Sequence, residues 1–146
     1  MPTTSFTQLE VWQKARLLTR AIYKLTERFP KHQLFSLTSQ AQRVVLSIGA
    51  NIAEGYGRRA PRDKAHYYTT SKSSGDELLH YLFVSEDLGY HKGEPEMFQL
   101  LNSVTAMLVR LTQKTLTDFR KALVPHCRAG PSGPIFDFRF SLFTAP

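Results

Sequence analysis

The chain has 146 residues, of which 42% are hydrophobic and 21% charged, a composition typical of one folded domain with a buried core. It has no apolar run near the roughly 20 residues of a membrane-spanning helix, and its N-terminus lacks the pattern of a signal peptide. The single cysteine, Cys127, cannot form an internal disulfide. We therefore expect a cytoplasmic protein that does not associate with membranes.

The net charge of +7 and the pI near 9.8 favour acidic partners, above all nucleic acid. Charge alone is also compatible with a basic protein that binds nothing in particular. It therefore has to be weighed together with the position of the charges along the chain.

The first predicted helix covers residues 7–29. Its apolar residues keep an unbroken spacing of alternating four and three positions, which is typical of the buried side of a helix in a bundle. These residues are Val11, Ala15, Leu18, Ile22, Leu25 and Phe29.

Trp12, Thr19 and Tyr23 lie to one side of this apolar stripe and form a second, partly aromatic strip. Two interpretations are open. The strip either flanks the core or forms a subunit interface, where aromatic residues are enriched.

The second helix lies within residues 37–59, with Ser36 as a candidate N-cap. Its apolar stripe is followed by Gly55 and Gly57, which we expect to supply left-handed or irregular backbone where the helix ends. Small residues near its end predict a close approach by another helix; they are Ser47, Gly49, Ala50 and Ala53.

The third and fourth helices are predicted at 61–88 and 95–123, separated by a turn containing Gly89 and Gly93. Ser71, Ser74 and Gly75 are small where a core helix usually carries leucine, so we expect them to pack against the small residues of the second helix. Four amphipathic helices with short connections predict an all-α, antiparallel up-and-down four-helix bundle over residues 1–121.

Residues 122–146 form a second region, rich in proline and glycine, which we expect to be a flexible tail. Its last part alternates Phe136, Phe138 and Phe140 with polar residues. This alternation is compatible with a strand that docks on a partner or with a loosely held end.

The connection between the second and third helices carries the best candidate for a binding site, formed by Arg58, Arg59, Arg62 and Lys64. Arginine can hold phosphate oxygens through two parallel hydrogen bonds, and a loop at the end of a bundle is accessible. A nucleic-acid site and a solvated patch that only aids solubility are both open interpretations.

We find no pattern that predicts catalysis. Glu77 and His80 have the E-x-x-H spacing of carboxylate-bridged metal sites, but such sites require two of these motifs, and the two side chains do not face the predicted core. The glycines near residue 57 follow a helix and do not link a strand to one, so they are not a phosphate loop. We expect a protein that is not an enzyme and has neither a metal nor a cofactor.

Five segments resemble the bacterial four-helix bundle family of intervening-sequence proteins, which are encoded within inserts in large-subunit ribosomal RNA genes. They are L-E-V-W-Q-K-A (9–15), I-Y-x-L-T-x-x-F-P (22–30), L-T-S-Q (37–40), S-I-x-A-N-I-A-E-G-Y-G-R (47–58) and D-L-G-Y (87–90). The resemblance covers about residues 6–121. This chain departs from it at Gly49, where a proline is common, and at 71–78, where its residues nevertheless stay small.

The resemblance implies a bundle that assembles into a homo-oligomeric ring, commonly a pentamer. It also implies a distant relation to the accessory protein of diversity-generating retroelements, a basic pentamer that binds nucleic acid and a reverse transcriptase. Two functions follow as expectations. One is binding of structured RNA, or other nucleic acid, through basic loops; the other is a protein-interaction scaffold or an accessory subunit of a nucleic-acid enzyme.

Overall fold

The computed structural model describes residues 5–123, which form a bundle of four long helices. Short turns of 3₁₀ helix lie at Phe6–Gln8 and Lys31–Gln33, and a π-helical turn spans Leu34–Thr38. The long helices are α1 (Glu10–Thr26), α2 (Ser39–Gly57), α3 (Pro61–Asp87) and α4 (Pro95–Leu123). None of the helices in residues 5–123 combines the length and the apolar character required to cross a bilayer.

Consecutive helices run antiparallel. Ser47 of α2 hydrogen-bonds to Ser74 of α3, and further along α2 Gly55 contacts Tyr68, which comes earlier in α3. In the same way α4 packs against α3 and closes the bundle against α1. The predicted antiparallel four-helix bundle is therefore confirmed.

The core consists of the apolar stripes predicted from the sequence. All six apolar positions predicted for the first helix are buried, although α1 ends at Thr26 and Phe29 lies in the turn beyond it, and four positions of α4 from Met97 to Leu108 are buried as well. Beyond Leu108 the burial of α4 decreases, and Leu111 and Phe119 are only partly covered. The packed core therefore ends before α4 does.

Two details at the helix ends differ from the prediction. Leu9 has extended backbone and separates the first 3₁₀ turn from α1, so the first helix begins later than expected. Ser36 is not an N-cap, because it lies inside the π-helical turn that runs directly into α2. Its hydroxyl instead donates to the backbone carbonyl of Gln33 and contacts the Gln33 side chain.

The prediction of left-handed backbone at Gly55 and Gly57 is also wrong, since both are helical and neither has a positive φ. Gly55 is needed for a different reason. A Cβ atom at this position would lie 2.8 Å from Cε1 of Tyr68, so α2 and α3 could not approach as closely. Positive φ angles occur at Gly89 (75°) and Gly93 (72°), the two glycines of the turn between α3 and α4.

The small residues of α3 pack in two directions. Ser71 donates a 2.9 Å hydrogen bond to the backbone carbonyl of Ile48 on α2, and Ser74 bonds to Ser47 on the same helix, as predicted. Gly75 instead faces α4, where a Cβ would lie 2.6 Å from Cγ2 of Thr105. The expectation that these small residues pack against α2 is therefore wrong for Gly75.

α4 covers Pro95–Leu123, the range predicted for the fourth helix, and the division of the chain at residue 121 stays a prediction. Cys127 and the phenylalanines at 136, 138 and 140 lie outside the described residues, as does most of the predicted tail.

Candidate functional site

The antiparallel arrangement brings the end of α2, the start of α3 and the end of α4 together at one end of the bundle, and Glu10 at the start of α1 lies beside Arg110 and Lys114 of α4. We call this the basic end and define it as residues 54–67 and 110–123. Cations outnumber carboxylates there; the lysines and arginines are Arg58, Arg59, Arg62, Lys64, Arg110, Lys114, Arg120 and Lys121, and the carboxylates are Glu54, Asp63 and Asp118. The predicted cluster is thus joined by cations of α4.

Arg58 is the most constrained of these cations. Its guanidinium forms an ion pair with Glu54, one helical turn earlier, and donates a 2.7 Å hydrogen bond to the hydroxyl of Tyr67. It also lies over the Tyr67 ring, with Cζ 4.7 Å from the ring centroid. Both ion-pair partners are about half exposed, so the pair contributes little to stability.

Two further cations lie over aromatic rings. Cζ of Arg62 is 5.8 Å from the centroid of Phe119 on α4, and Nζ of Lys64 is 5.6 Å from the centroid of Tyr56 at the end of α2. Cation–ring contacts of this kind contribute about 0.5–1 kcal/mol at exposed sites. They hold the side chains close to the protein surface without neutralising the charge.

Arg59 is exposed in the short connection between α2 and α3. Among residues 5–123, Arg59, Arg62 and Lys64 form no ion pair with a carboxylate. Arg62 and Lys64 also lie in the first turn of α3, where the helix dipole disfavours positive charge. Their position therefore does not stabilise the helix that carries them.

The opposite end of the bundle has a different balance. At that end the carboxylates are about as numerous as the lysines and arginines. The carboxylates are Glu27, Glu86, Asp87, Glu94 and Glu96. One of them, Glu94, directly precedes α4 and pairs with Arg28, which lies just beyond the end of α1. The excess of positive charge in the described bundle is consequently concentrated at the basic end.

The side chains that sequence reasoning missed are the aromatic ones at this end, Tyr56 and Tyr67, and the cations of α4, Arg120 and Lys121. The alternation of tyrosines with arginines and lysines over residues 56–67 was a visible signal for the former. Arg120 and Lys121 are more than 50 residues from the cluster in sequence, and only the packing of α4 against α3 brings them to the same end.

The three predicted interface residues lie beside the buried stripe of α1, where Trp12 and Thr19 are partly buried and Tyr23 is exposed, and only Trp12 and Thr19 line one groove. Trp12 and Thr19 border a groove of about 290 Å³ between α1 and α2, whereas Tyr23 is 38% exposed beyond it. Trp12 also packs against the core and makes an edge-to-face contact with Phe6, its ring centroid 5.2 Å away. The α2 side of the groove consists of Leu46, Gly49 and Ala50, of which Leu46 is 51% exposed.

Glu77 and His80, the residues of the isolated E-x-x-H motif, are both exposed on α3. The Glu77 carboxylate accepts a 3.0 Å hydrogen bond from the hydroxyl of Tyr81, and this bond raises the pKa of Tyr81. Within residues 5–123, no three side chains of the metal-ligating types cluster together.

A family model described as "23S rRNA-intervening sequence protein" matches residues 7–112, which is most of the chain. The chain belongs to this family. The resemblance inferred from the five sequence segments is thereby confirmed. No curated protein matched the chain.

In this member of the 23S rRNA-intervening sequence protein family, the match contains Arg58, Arg59, Arg62 and Lys64 together with both tyrosines beside them. It ends before Phe119, Arg120 and Lys121, so the part of the basic end contributed by the last turns of α4 lies outside the matched region.

Proposed function

We propose that this protein is a non-catalytic, homo-oligomeric bundle that binds structured RNA, or other nucleic acid, through its basic end. The observation that carries the proposal is the concentration of cations at one end, where Arg59, Arg62 and Lys64 form no ion pair with a described carboxylate. Placing such charges together is unfavourable in the free protein, and phosphate oxygens would relieve the repulsion. The family name supports a connection with ribosomal RNA.

Assembly would strengthen this site. A ring with cyclic symmetry, commonly a pentamer as the family resemblance implies, places every basic end at the same height along the ring axis, so that the fields of the copies add. The groove at Trp12 and the exposed Leu46 support a contact between copies at the α1–α2 face, because both leave apolar surface uncovered in the single chain.

Binding through phosphate contacts predicts a steep dependence on salt. The test is a titration of structured ribosomal RNA and of duplex DNA at several salt concentrations, with the unmodified chain and the triple variant Arg58→Ala/Arg59→Ala/Arg62→Ala. Removal of three phosphate contacts should reduce the slope of log K against log salt by about 2–3 for each bound copy.

The matched control is Lys24→Ala/Lys31→Ala/Lys92→Ala, which removes the same charge from exposed positions at or near the opposite end of the bundle. If the basic end is the site, this control retains the original slope. Equal loss in both triple variants would show that net charge, and not the basic end, drives binding.

A further inference from the structure

The basic end contains aromatic rings that the core does not use. Tyr56, Tyr67 and Phe119 are half-buried at the surface and are not part of the buried cluster that holds the bundle together. The buried tyrosine of this region is Tyr68, which fills the space beside Gly55. The rings of Tyr56 and Tyr67 therefore lie outside this core cluster.

Each of these three rings lies beside a cation. The distances from cation to ring centroid are 4.7 Å for Arg58 and Tyr67, 5.8 Å for Arg62 and Phe119, and 5.6 Å for Lys64 and Tyr56. The exposed imidazole of His66 adds a fourth ring, edge-on to Tyr67 with centroids 6.0 Å apart. Rings and cations thus alternate over a surface built from α2, α3 and α4.

Proteins that bind unpaired nucleotides use this combination of groups. Cations contact the phosphates, while bases stack on aromatic rings or on guanidinium planes. In a duplex the base faces are already stacked within the helix, so a duplex could use the cations of this surface but not its rings. The rings therefore favour unpaired nucleotides over a duplex, whereas the positive charge alone does not distinguish the two.

From this juxtaposition we propose that the basic end recognises unpaired nucleotides, with bases stacking on Tyr56 and Tyr67 and phosphates held by Arg58 and Lys64. This inference rests on the proposed function and specifies its substrate class. When a phosphate draws a cation away from its ring, the ring face becomes available to the adjacent base. A structured RNA would then bind through its loops or single-stranded ends.

The test compares a single-stranded RNA of about 12 nucleotides, a length within the site sizes of single-strand binders, with the same strand paired to its complement. The strand carries 2-aminopurine, whose fluorescence changes when the base stacks. We expect the single strand to bind more tightly than the duplex at equal salt, with a fluorescence change on binding. Tyr56→Leu and Tyr67→Leu should each weaken single-strand binding about tenfold and leave duplex binding unchanged.

Two control variants separate stacking from other effects. Tyr67→Phe keeps the ring and removes the hydroxyl that binds Arg58, so it should bind as the unmodified chain does. Phe83→Leu removes a 52% exposed ring far along α3 from the basic end and should also have no effect. Weak single-strand binding by Tyr67→Phe would assign the loss to a misplaced Arg58 and overturn the stacking inference.

The two proposals fail in different ways. Equal binding of single strand and duplex, both with a steep salt dependence and both indifferent to the leucine variants, would overturn stacking while leaving phosphate binding intact. Absence of binding near physiological salt to either of these RNAs, to structured ribosomal RNA and to duplex DNA would overturn both.

Discussion

Gly55 is the residue on which the close approach of α2 and α3 at the basic end depends. A methyl group there would lie 2.8 Å from Cε1 of Tyr68 and 3.0 Å from Cβ of Tyr67. Alanine is the better helix former by about 1 kcal/mol, but overpacking of this kind typically destabilises by about 1–3 kcal/mol. We expect Gly55→Ala to lower the free energy of unfolding in urea and to displace Tyr67 from Arg58.

Gly57 is the matched control, because it is also helical and an added Cβ would meet nothing within 4 Å. Gly57→Ala should therefore leave stability unchanged or raise it by up to about 1 kcal/mol. Similar destabilisation by both variants would contradict the steric explanation. The sequence could place both glycines near a helix end, but it could not distinguish them, since the clash depends on where α3 packs.

We expect the bundle to lose stability at alkaline pH because of Tyr68. Burial, and then the nearby Tyr56, raises the pKa of Tyr68 above the tyrosine value of about 10. The unfolded chain thus loses this proton at a lower pH than the folded chain does. The stability that depends on neutral Tyr68 should be fully present below about pH 10 and should fall as the pH rises towards the pKa of Tyr68 in the folded chain.

The test is urea denaturation from about pH 9 to about pH 11 with the unmodified chain and Tyr68→Phe. The variant should lose less stability over this range, because phenylalanine does not ionise. Tyr23→Phe, at a 38% exposed position, provides the comparison and should follow the unmodified chain. Identical pH profiles for all three would show that Tyr68 does not contribute.

At the scale of the helices, the close approach of α3 to α4 at Gly75 is limited by the side chain of Thr105. A Cβ at Gly75 would lie 2.6 Å from Cγ2 of Thr105, and this methyl group is absent from serine. We expect Gly75→Ala to destabilise the bundle by about 1–3 kcal/mol. In a Thr105→Ser background the same change should be neutral or stabilising.

This double-mutant cycle is measured by urea denaturation of the four proteins at one concentration. Serine retains the hydroxyl that Thr105 uses to bond to the carbonyls of Leu101 and Asn102, so the rescue isolates the methyl group. Additive effects of the two substitutions would rule out this contact as the reason for glycine.

Most of the helices could be predicted because their signals are local. Pro61 and Pro95 begin α3 and α4, Gly89 lies just beyond the end of α3, and the apolar spacing of each helix identifies its buried side. The contacts that could not be predicted from the sequence depend on how the helices pack. Gly75 packs against α4, and Arg62 lies over the ring of Phe119. Both contacts join parts of the chain that are far apart in sequence.

The whole molecule is asymmetric in its charge. The four cations predicted from the sequence do lie at one end of the bundle, but the rings beside them and the contribution of α4 became visible only in three dimensions. The helix dipole favours Arg120 and Lys121 in the last turn of α4 but disfavours Arg62 and Lys64 in the first turn of α3, so it explains only part of this distribution. The anionic ligand that we propose would account for the remainder.

The α1–α2 face is the surface at which we expect copies of the chain to meet. Leu46 is 51% exposed beside the groove that Trp12 borders, so an aspartate there would place an unpaired carboxylate in any interface at this face. We expect Leu46→Asp to convert a homo-oligomer into monomers in sedimentation velocity, with helical circular dichroism retained. The fluorescence emission of Trp12, the single tryptophan of the chain, should shift to longer wavelength as the indole becomes more exposed to solvent.

Val109→Asp is the control, because it introduces the same aspartate at a 40% exposed position on α4, and this variant should remain assembled. If Leu46→Asp sediments as the unmodified oligomer does, the copies meet through another face.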